Sequence, residues 1–298
     1  MTFSIVIPIY NKSAYIGRTI ESVLHQTVTD FELIAVDDGS TDNSVEVVSR
    51  IHDDRVKIIQ QPNGGEGAAR NRGISSAQGG LICFLDADDT WEPWFLEEIK
   101  KLVLKNASAL LFSTAFRVRE RDGSSLHYLH EGLGAALRGN GVMNYLACLA
   151  QGKYPISSSS VCVRKEALVN AGYFDVSLKI GADIDMWTRV CSAGKTMYSP
   201  RVSATYHRDA ENRSVDQGDL DQKTLILIEK LASNLHIFAN EPESRMNLSR
   251  FIAMKAYETA SRAGRGETAV RAFQLVGRFK SYLPLRSQAA LFGKRMFR

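Results

Sequence analysis

Cysteine is scarce in this 298-residue chain: Cys83, Cys148, Cys162 and Cys191 stand far apart, with no CxxC and no histidine at ligand spacing. That argues against a disulfide framework or a structural zinc site and fits a reducing compartment. No apolar stretch approaches the roughly 18 to 20 residues a membrane-spanning helix requires. The opening MTFSIVIPIYNKS lacks the basic start and small-residue cleavage site of a secretory leader, so none is expected. Internal repeats and low-complexity tracts are absent. GxGxxG is absent too, which counts against a dinucleotide-binding Rossmann domain. The expectation is a soluble or peripheral cytoplasmic protein.

What is present is a βα rhythm. Strand patterns cover Phe3 to Ile9, Phe31 to Val36, Val56 to Ile59 and Leu81 to Leu85, and helical patterns cover Ser13 to His25, about Asp42 to Ile51, and Gly67 to Ala77. Apolar strands alternating with amphipathic helices predict an α/β fold with a mostly parallel central sheet flanked by helices. A helix near Pro93 to Leu104 and a strand near Ala109 to Phe116 follow. Further on, the pattern gives a strand over Ser158 to Val163, a short helix from Lys165, a helix from about Asp183 to Ser192 and a strand near Lys195 to Thr205. The text from about Asp219 is helical. The expected domains are therefore 1–215, catalytic, and 216–298, a helical basic extension.

Ligands of open α/β sheets sit beyond the carboxyl ends of the strands, and here those ends are acidic. The first strand runs into Pro8, Ile9, Tyr10, Asn11 and Lys12, the second into Asp37, Asp38 and Gly39, and the fourth into Asp86, Ala87, Asp88 and Asp89. In an extended segment Asp86 and Asp88 project to one side. Their spacing suits a hard divalent cation, Mg or Mn, bound by one or two carboxylates together with substrate phosphates. The plainer alternative, that Asp89 or Thr90 caps the following helix, accounts for one of these acids and not three. Asp42 reads as the cap of the helix after the second strand. Tyr10 beside a carboxylate suits stacking on a base. The stretch GGEGAARNRG, Gly64 to Gly73, places glycines before a helix start, with Glu66, Arg70 and Arg72 in its first turns and backbone amides able to face phosphate.

GADIDMW, Gly181 to Trp187, carries the mechanism. At 100° per residue, Met186, Trp187, Val190 and Cys191 define an apolar face centred over Asp183, while Asp185 lies about 200° away beside Arg189 and reads as a surface ion pair. A carboxylate aligned with the apolar face either caps the helix or enters a cavity where it is useful, and one residue can do both.

SIVIPIYNKSAYI, FELIAVDDGSTDNS, GAARNRG, FLDADD and the late acidic-Trp helix together resemble glycosyltransferase family 2, over roughly residues 3 to 207. The resemblance implies a GT-A fold, an inverting mechanism, and a nucleotide-diphospho-sugar donor, usually a UDP-sugar, bound with Mg or Mn. By position it assigns Tyr10 and Asp38 to the base, Asp88 and Asp89 to metal and diphosphate, Asp86 to the neighbourhood of nucleotide or metal, and Asp183 to the catalytic base. Pro8, Asn11, Glu66, Arg70 and Ala87 complete the candidate nucleotide-sugar set. His207, in the YHR stretch, is the third candidate metal ligand, with a core or surface histidine as the alternative. Family members commonly carry Glu before the catalytic Asp, where this chain has Ala182. The QxxRW motif of processive members is missing, which implies transfer of one sugar per acceptor. The acceptor expected on this analogy is a saccharide or lipid-linked hydroxyl in surface polysaccharide synthesis. A non-catalytic nucleotide-sugar binding module is the rival reading; nucleotidyl transfer would call for a Gly-rich loop near the N-terminus.

The net charge of +4 hides an asymmetry. From Arg262 to Arg298 nine Lys or Arg face the single Glu267, giving +8, so the remainder carries −4. Phe273, Leu275, Val276, Phe279, Leu283, Leu291, Phe292 and Phe297 interleave with these cations. The pattern suits an amphipathic segment on an anionic membrane surface, peripheral to the inner face of the cytoplasmic membrane, or else a helix packed on the catalytic domain. No nucleic acid is expected as a partner.

Overall fold

The computed structural model describes residues 2–127, 141–210, 219–263 and 266–284. The chain divides into two units, 1–145 with 154–216, and 146–153 with 217–298.

In the first unit, seven consecutive buried residues make β1 (Phe3–Ile9), and the same holds for β2 (Phe31–Asp37). Continuous burial is what a strand covered on both faces needs. Between them runs α1 (Ile16–Leu24), whose Ile16, Thr19, Ile20 and Val23 face inward at helical spacing. The series continues with α2 (Ser44–Ser49), β3 (Val56–Gln60), α3 (Glu66–Ser76), β4 (Leu81–Phe84), a two-residue β5 (Thr90–Trp91) and α4 (Phe95–Lys105). Then come β6 (Leu111–Arg119), β7 (Ser125–His127), β8 (Val142–Met143), α5 (Tyr145–Leu149), which from Leu146 on belongs to the second unit, and, back in the first, β9 (Val161–Arg164), α6 (Lys165–Asn170), α7 (Ala182–Ala193) and β10 (Thr196–His207).

The sheet order is β3-β2-β1-β4-β9-β6-β10-β5, with β7 on β6 and β8 on β10. The run β3-β2-β1-β4 is parallel, as is β6 with β10, while β9 lies antiparallel between β4 and β6. The core joins Ile5, Ile7 and Leu33 to Phe95, Ile99 and Phe112. α3 approaches β1 so closely that a Cβ on Gly73 would collide with the Val6 side chain, so only glycine fits there.

Three local expectations are corrected. Residues 158–160 form a 3-10 turn instead of the start of a strand, because Ser157 and Ser160 close a reciprocal capping box. Helix α2 begins at Ser44, and Asp42 sits one residue ahead of the cap, accepting from the Ser44 amide at 3.0 Å and the Ser13 amide at 2.9 Å. Helix α4 begins five residues after Thr90, capped at Trp94, so neither Asp89 nor Thr90 is its N-cap.

The second unit is helical: α8 (Leu220–Ser233), α9 (Pro242–Arg262) and α10 (Glu267–Phe279) pack on one another. Leu275, Val276, Phe279 and Leu283 are buried there, and Arg271 pairs with Glu229 on α8. Burial removes these four apolar residues from the set available to a lipid surface; Phe273 is exposed, and Leu291, Phe292 and Phe297 lie outside the described residues. Among the described residues no helix is long and apolar enough to cross a membrane.

Candidate active site

The chain runs outward from β1 to β2 and β3 and then returns to place β4 on the other side of β1. That reversal opens a crevice beyond the carboxyl ends of β1 and β4, the place where such sheets bind ligands.

On the β1–β2 side, Pro8 is buried within β1, whereas Tyr10 is 45% exposed just past it, which rules out a core role for that ring. Asn11 adopts a left-handed φ of 53°. Its amide donates to Ser40 Oγ at 3.0 Å and its side-chain oxygen accepts from the Thr41 amide at 2.8 Å, so the turns after β1 and β2 brace each other. Asp37 accepts from the Ser40 amide and stays structural. Asp38, the other acid, is buried and accepts from Gln61 Nε2 and the amides of Gly64 and Gly65 at 2.7 to 2.9 Å. Gly65 holds φ +88°, which lets its amide reach that carboxylate.

Past β4 the acidic segment is not extended. The Asp89 amide bonds back to the Asp86 carbonyl at 3.0 Å, and strand alternation no longer applies. Asp86 turns to Arg70 at 2.7 Å and Asp88 turns to Lys12 at 2.7 Å. Asp89 is fully buried. Its oxygens accept from Ser159 Oγ and from the His207 amide, and burial, with Asp86 and Asp88 adding, pushes its carboxyl well above the usual range. Helix α1 holds the backbone of this turn. Thr19 Oγ1 donates to the carbonyls of Ala87 and Asp89 at 2.9 and 2.8 Å, and Arg18 Nη2 donates to the Asp88 carbonyl at 2.9 Å. Ser159 Oγ also accepts from the Asp86 amide at 3.1 Å.

Arg70, 3% exposed, joins the α3 residue Glu66 to Asp86, and its guanidinium lies over the Phe174 ring. Phe174 in turn packs edge-on against Phe84 at the end of β4 and against Trp187 of α7. Asn71 fixes Phe174 by bonding both its amide and its carbonyl. This aromatic group links α3, β4 and α7.

Asp183, the second residue of α7, is half-buried, with Ser158 Oγ at 3.4 Å from its Oδ2. Burial raises its carboxyl pKa, Arg70 opposes that, and Asp86 reinforces it. Glu66 is pushed up to about 7 by desolvation, with Arg70 opposing and Asp86, Asp183 and Asp88 adding; its side chain is 42% exposed, so water moderates the effect. Glu66, Arg70, Asp86, Asp88 and Asp183 thus share one electrostatic neighbourhood. Asp185, expected on the surface, is instead fully buried, paired with Arg189 at 2.6 Å, while Arg189 also donates to the Ala171 carbonyl at the end of α6. A buried acid needs such a partner, and α6 supplies the cover that a single-helix projection omits.

His207 is buried, with Nε2 3.3 Å from Thr90 Oγ1 and Nδ1 3.1 Å from Asp209. Burial, followed by Arg18, lowers its pKa, with Asp209 opposing. Among the described residues no group of three or more His, Cys, Asp or Glu is arranged to hold a metal. Asp88 faces the Lys12 ammonium, as Asp86 faces the Arg70 guanidinium.

Lys12, Arg18, Thr19, Ser158 and Ser159 were missed as site residues. Lys12 stood next to Asn11 in a motif-bearing stretch; the two serines lie in a run of four that carries no distinguishing pattern.

A 46% identical glycosyltransferase of Nostoc sp., uncharacterized, aligns over 33% of the chain and 32% of its own length. Chondroitin synthase of Pasteurella multocida is 42% identical over 41% of the chain and 13% of that protein, and the glycosyltransferase GlyG of Streptococcus pneumoniae is 36% identical over 42% and 43%. The chain thus spans less than half of these relatives. Among solved structures, S. aureus TarS residues 1–349 with UDP-GlcNAc superposes with a TM-score of 0.70 at 20% identity, covering 97% of this chain and 83% of that TarS segment. The mannosyltransferase PcManGT of Pyrobaculum calidifontis, with GDP-Man and Mn2+, gives 0.60 at 16% identity, covering 99% and 79%. These neighbours share the GT-A fold. The profile of Glycosyl transferase family 2 matches residues 4–167, more than half of the chain, and the protein belongs to that family.

Proposed function

We propose that this chain is an inverting, metal-dependent glycosyltransferase that moves a single sugar from a nucleotide-diphospho-sugar, a UDP-sugar first, to a hydroxyl of a saccharide or lipid-linked acceptor. The observation that carries the reading is the common neighbourhood of Asp183 and the Glu66–Arg70–Asp86 group, which sets a half-buried carboxylate of raised pKa beside the crevice where a donor would lie. A base poised nearer neutral pH is what proton abstraction from an alcohol requires.

Tyr10 offers an exposed ring for the base, beside the braced Asn11 turn, and Asp38 holds the 61–65 segment that borders it. Asp183 accepts the acceptor hydroxyl's proton as that oxygen bonds to the anomeric carbon and the bond to the diphosphate breaks on the opposite face. The sheet edge holds donor and acceptor in line, which makes two encounters one. Asp88, a hard oxygen donor already opposite a cation, fits a divalent ion, with Asp89 orienting the turn through Ser159 and His207. Such an ion, Mg2+ or Mn2+, would supply counter-charge to the departing diphosphate. Contact with an anionic membrane surface would use the exposed Val270 and Phe273 of α10.

Thermal denaturation across a panel of UDP- and GDP-sugars, with and without Mn2+, tests the reading. Ligands that bind only the native state stabilise it by mass action. At least one nucleotide-sugar should raise Tm in a metal-dependent manner; a flat panel would remove the proposal.

A further inference from the structure

Lys12 lies three residues past β1, in the crevice at the sheet's point of reversal. Its backbone is fixed there by the amide's bond to Ser44 Oγ at 2.8 Å. Its Nζ stands 2.7 Å from Asp88 Oδ2, with both side chains only 11% exposed. The ammonium and the Arg18 guanidinium lie over the same Tyr15 ring, at 5.8 and 5.2 Å.

The acids around this pair are committed elsewhere. Asp86 faces Arg70, and Asp89 faces Ser159 and His207. Of the three acids in this turn Asp88 is therefore the one left for a metal, and it already holds an ammonium that can move. A dication drawn to Asp88 Oδ2 must repel an ammonium at that distance, in surroundings too closed for water to screen the two fully. The lysine has four rotatable bonds from an anchored backbone, so it can leave the carboxylate without disturbing the turn. It will do so when another anion is near, and a diphosphate in this crevice brings two.

Given the metal and donor reading above, on which this rests, we propose that Lys12 is a resident counter-ion that blocks the divalent metal from Asp88 until a nucleoside diphosphate arrives and takes over the ammonium. Metal and donor then bind as a coupled pair, each raising the other's affinity by one common factor. The metal-free, donor-free site keeps its charge balance, and Asp88 is not left unpaired beside Asp86 and Asp89.

The test is a Mn2+ titration of the full chain, followed by the spectrum of free Mn2+, for wild type, Lys12→Met and Lys12→Arg. Each is measured alone, with UDP and with GDP. Wild type should bind Mn2+ at least about tenfold tighter with one of the nucleotides than without. Lys12→Met should bind Mn2+ alone about tenfold tighter than wild type and lose most of the nucleotide-linked gain, and Lys12→Arg should behave as wild type does. Equal or weaker binding of Mn2+ alone by Lys12→Met overturns the inference while leaving the metal reading intact. So does a wild type whose Mn2+ affinity is the same with and without nucleotide, an arm that needs no variant to fold. A wild type that binds Mn2+ under none of these conditions overturns the metal reading itself, and this inference with it.

Discussion

Replacing Thr19 by valine removes one hydroxyl and almost no volume, and it strikes the acidic turn from behind. The Thr19 proton is shared between the carbonyls of Ala87 at 2.9 Å and Asp89 at 2.8 Å, and the residue is fully buried. Loss of a donor that leaves buried acceptors unsatisfied costs about 1–3 kcal/mol, and the methyl that takes its place cannot bond to either oxygen. For a folding unit of about 200 residues, the size of the first unit, that converts to roughly 2–4 °C of Tm per kcal/mol. Calorimetry and the nucleotide–Mn2+ thermal shift, run on both proteins, read two consequences. Tm should fall by several degrees, and the residual protein should bind nucleotide and metal more weakly, because the turn carrying Asp88 has lost its main support on α1. A Thr19→Val protein with unchanged Tm would refute the claim that the hydroxyl is a buried tie. A lowered Tm with unchanged ligand affinity would refute the claim that α1 organises the site.

Arg70→Met should be among the more damaging substitutions, costing about 3–5 kcal/mol or somewhat less as Glu66 and Asp86 rehydrate, since it breaks a buried ion pair and strands the partners. Because Arg70 is what holds the Asp183 carboxyl down against burial, any remaining turnover should need higher pH; a kcat profile whose rising limb does not move would count against the assignment. Glu66 has a folded pKa of about 7, above its ordinary 4.5, so it stabilises the fold at low pH and that contribution disappears as pH rises through 7. Stability of the metal-free protein measured from pH 4.5 to 7 should therefore decline more steeply in wild type than in Glu66→Gln, and identical slopes would contradict the raised pKa.

The β1-α1-β2-α2-β3-α3-β4 series is legible because β1, β2 and β4 are short apolar runs and α1 carries one apolar face; α3, which buries Gly67, Ala69, Arg70, Gly73 and Ile74, has no such face and is read from its place between strands. The acids at the strand ends are legible for the same reason, since topology places those ends together. Side-chain direction beyond the strands is not. Asp86 and Asp88 part company because a turn closes from Asp86 to Asp89, and Asp185 is buried because α6 covers the face that a helical projection leaves open. The antiparallel insertion of β9, and with it the delivery of Ser159 to Asp89 across 70 residues of chain and of Ser158 to Asp183 across 25, depends on contacts that no local pattern reports. Sequence therefore gives the residues that bear the chemistry more readily than the neutral hydroxyls and the lysine that hold them in place.

Asp183→Asn puts the central claim to its most direct trial. The substitution keeps shape and the Ser158 contact while removing the ability to take a proton. With the UDP- or GDP-sugar that stabilises the protein most, wild type and variant should show the same metal-dependent thermal shift, while release of nucleoside diphosphate by transfer falls by at least about two orders of magnitude in the variant. Full turnover in Asp183→Asn would contradict the account.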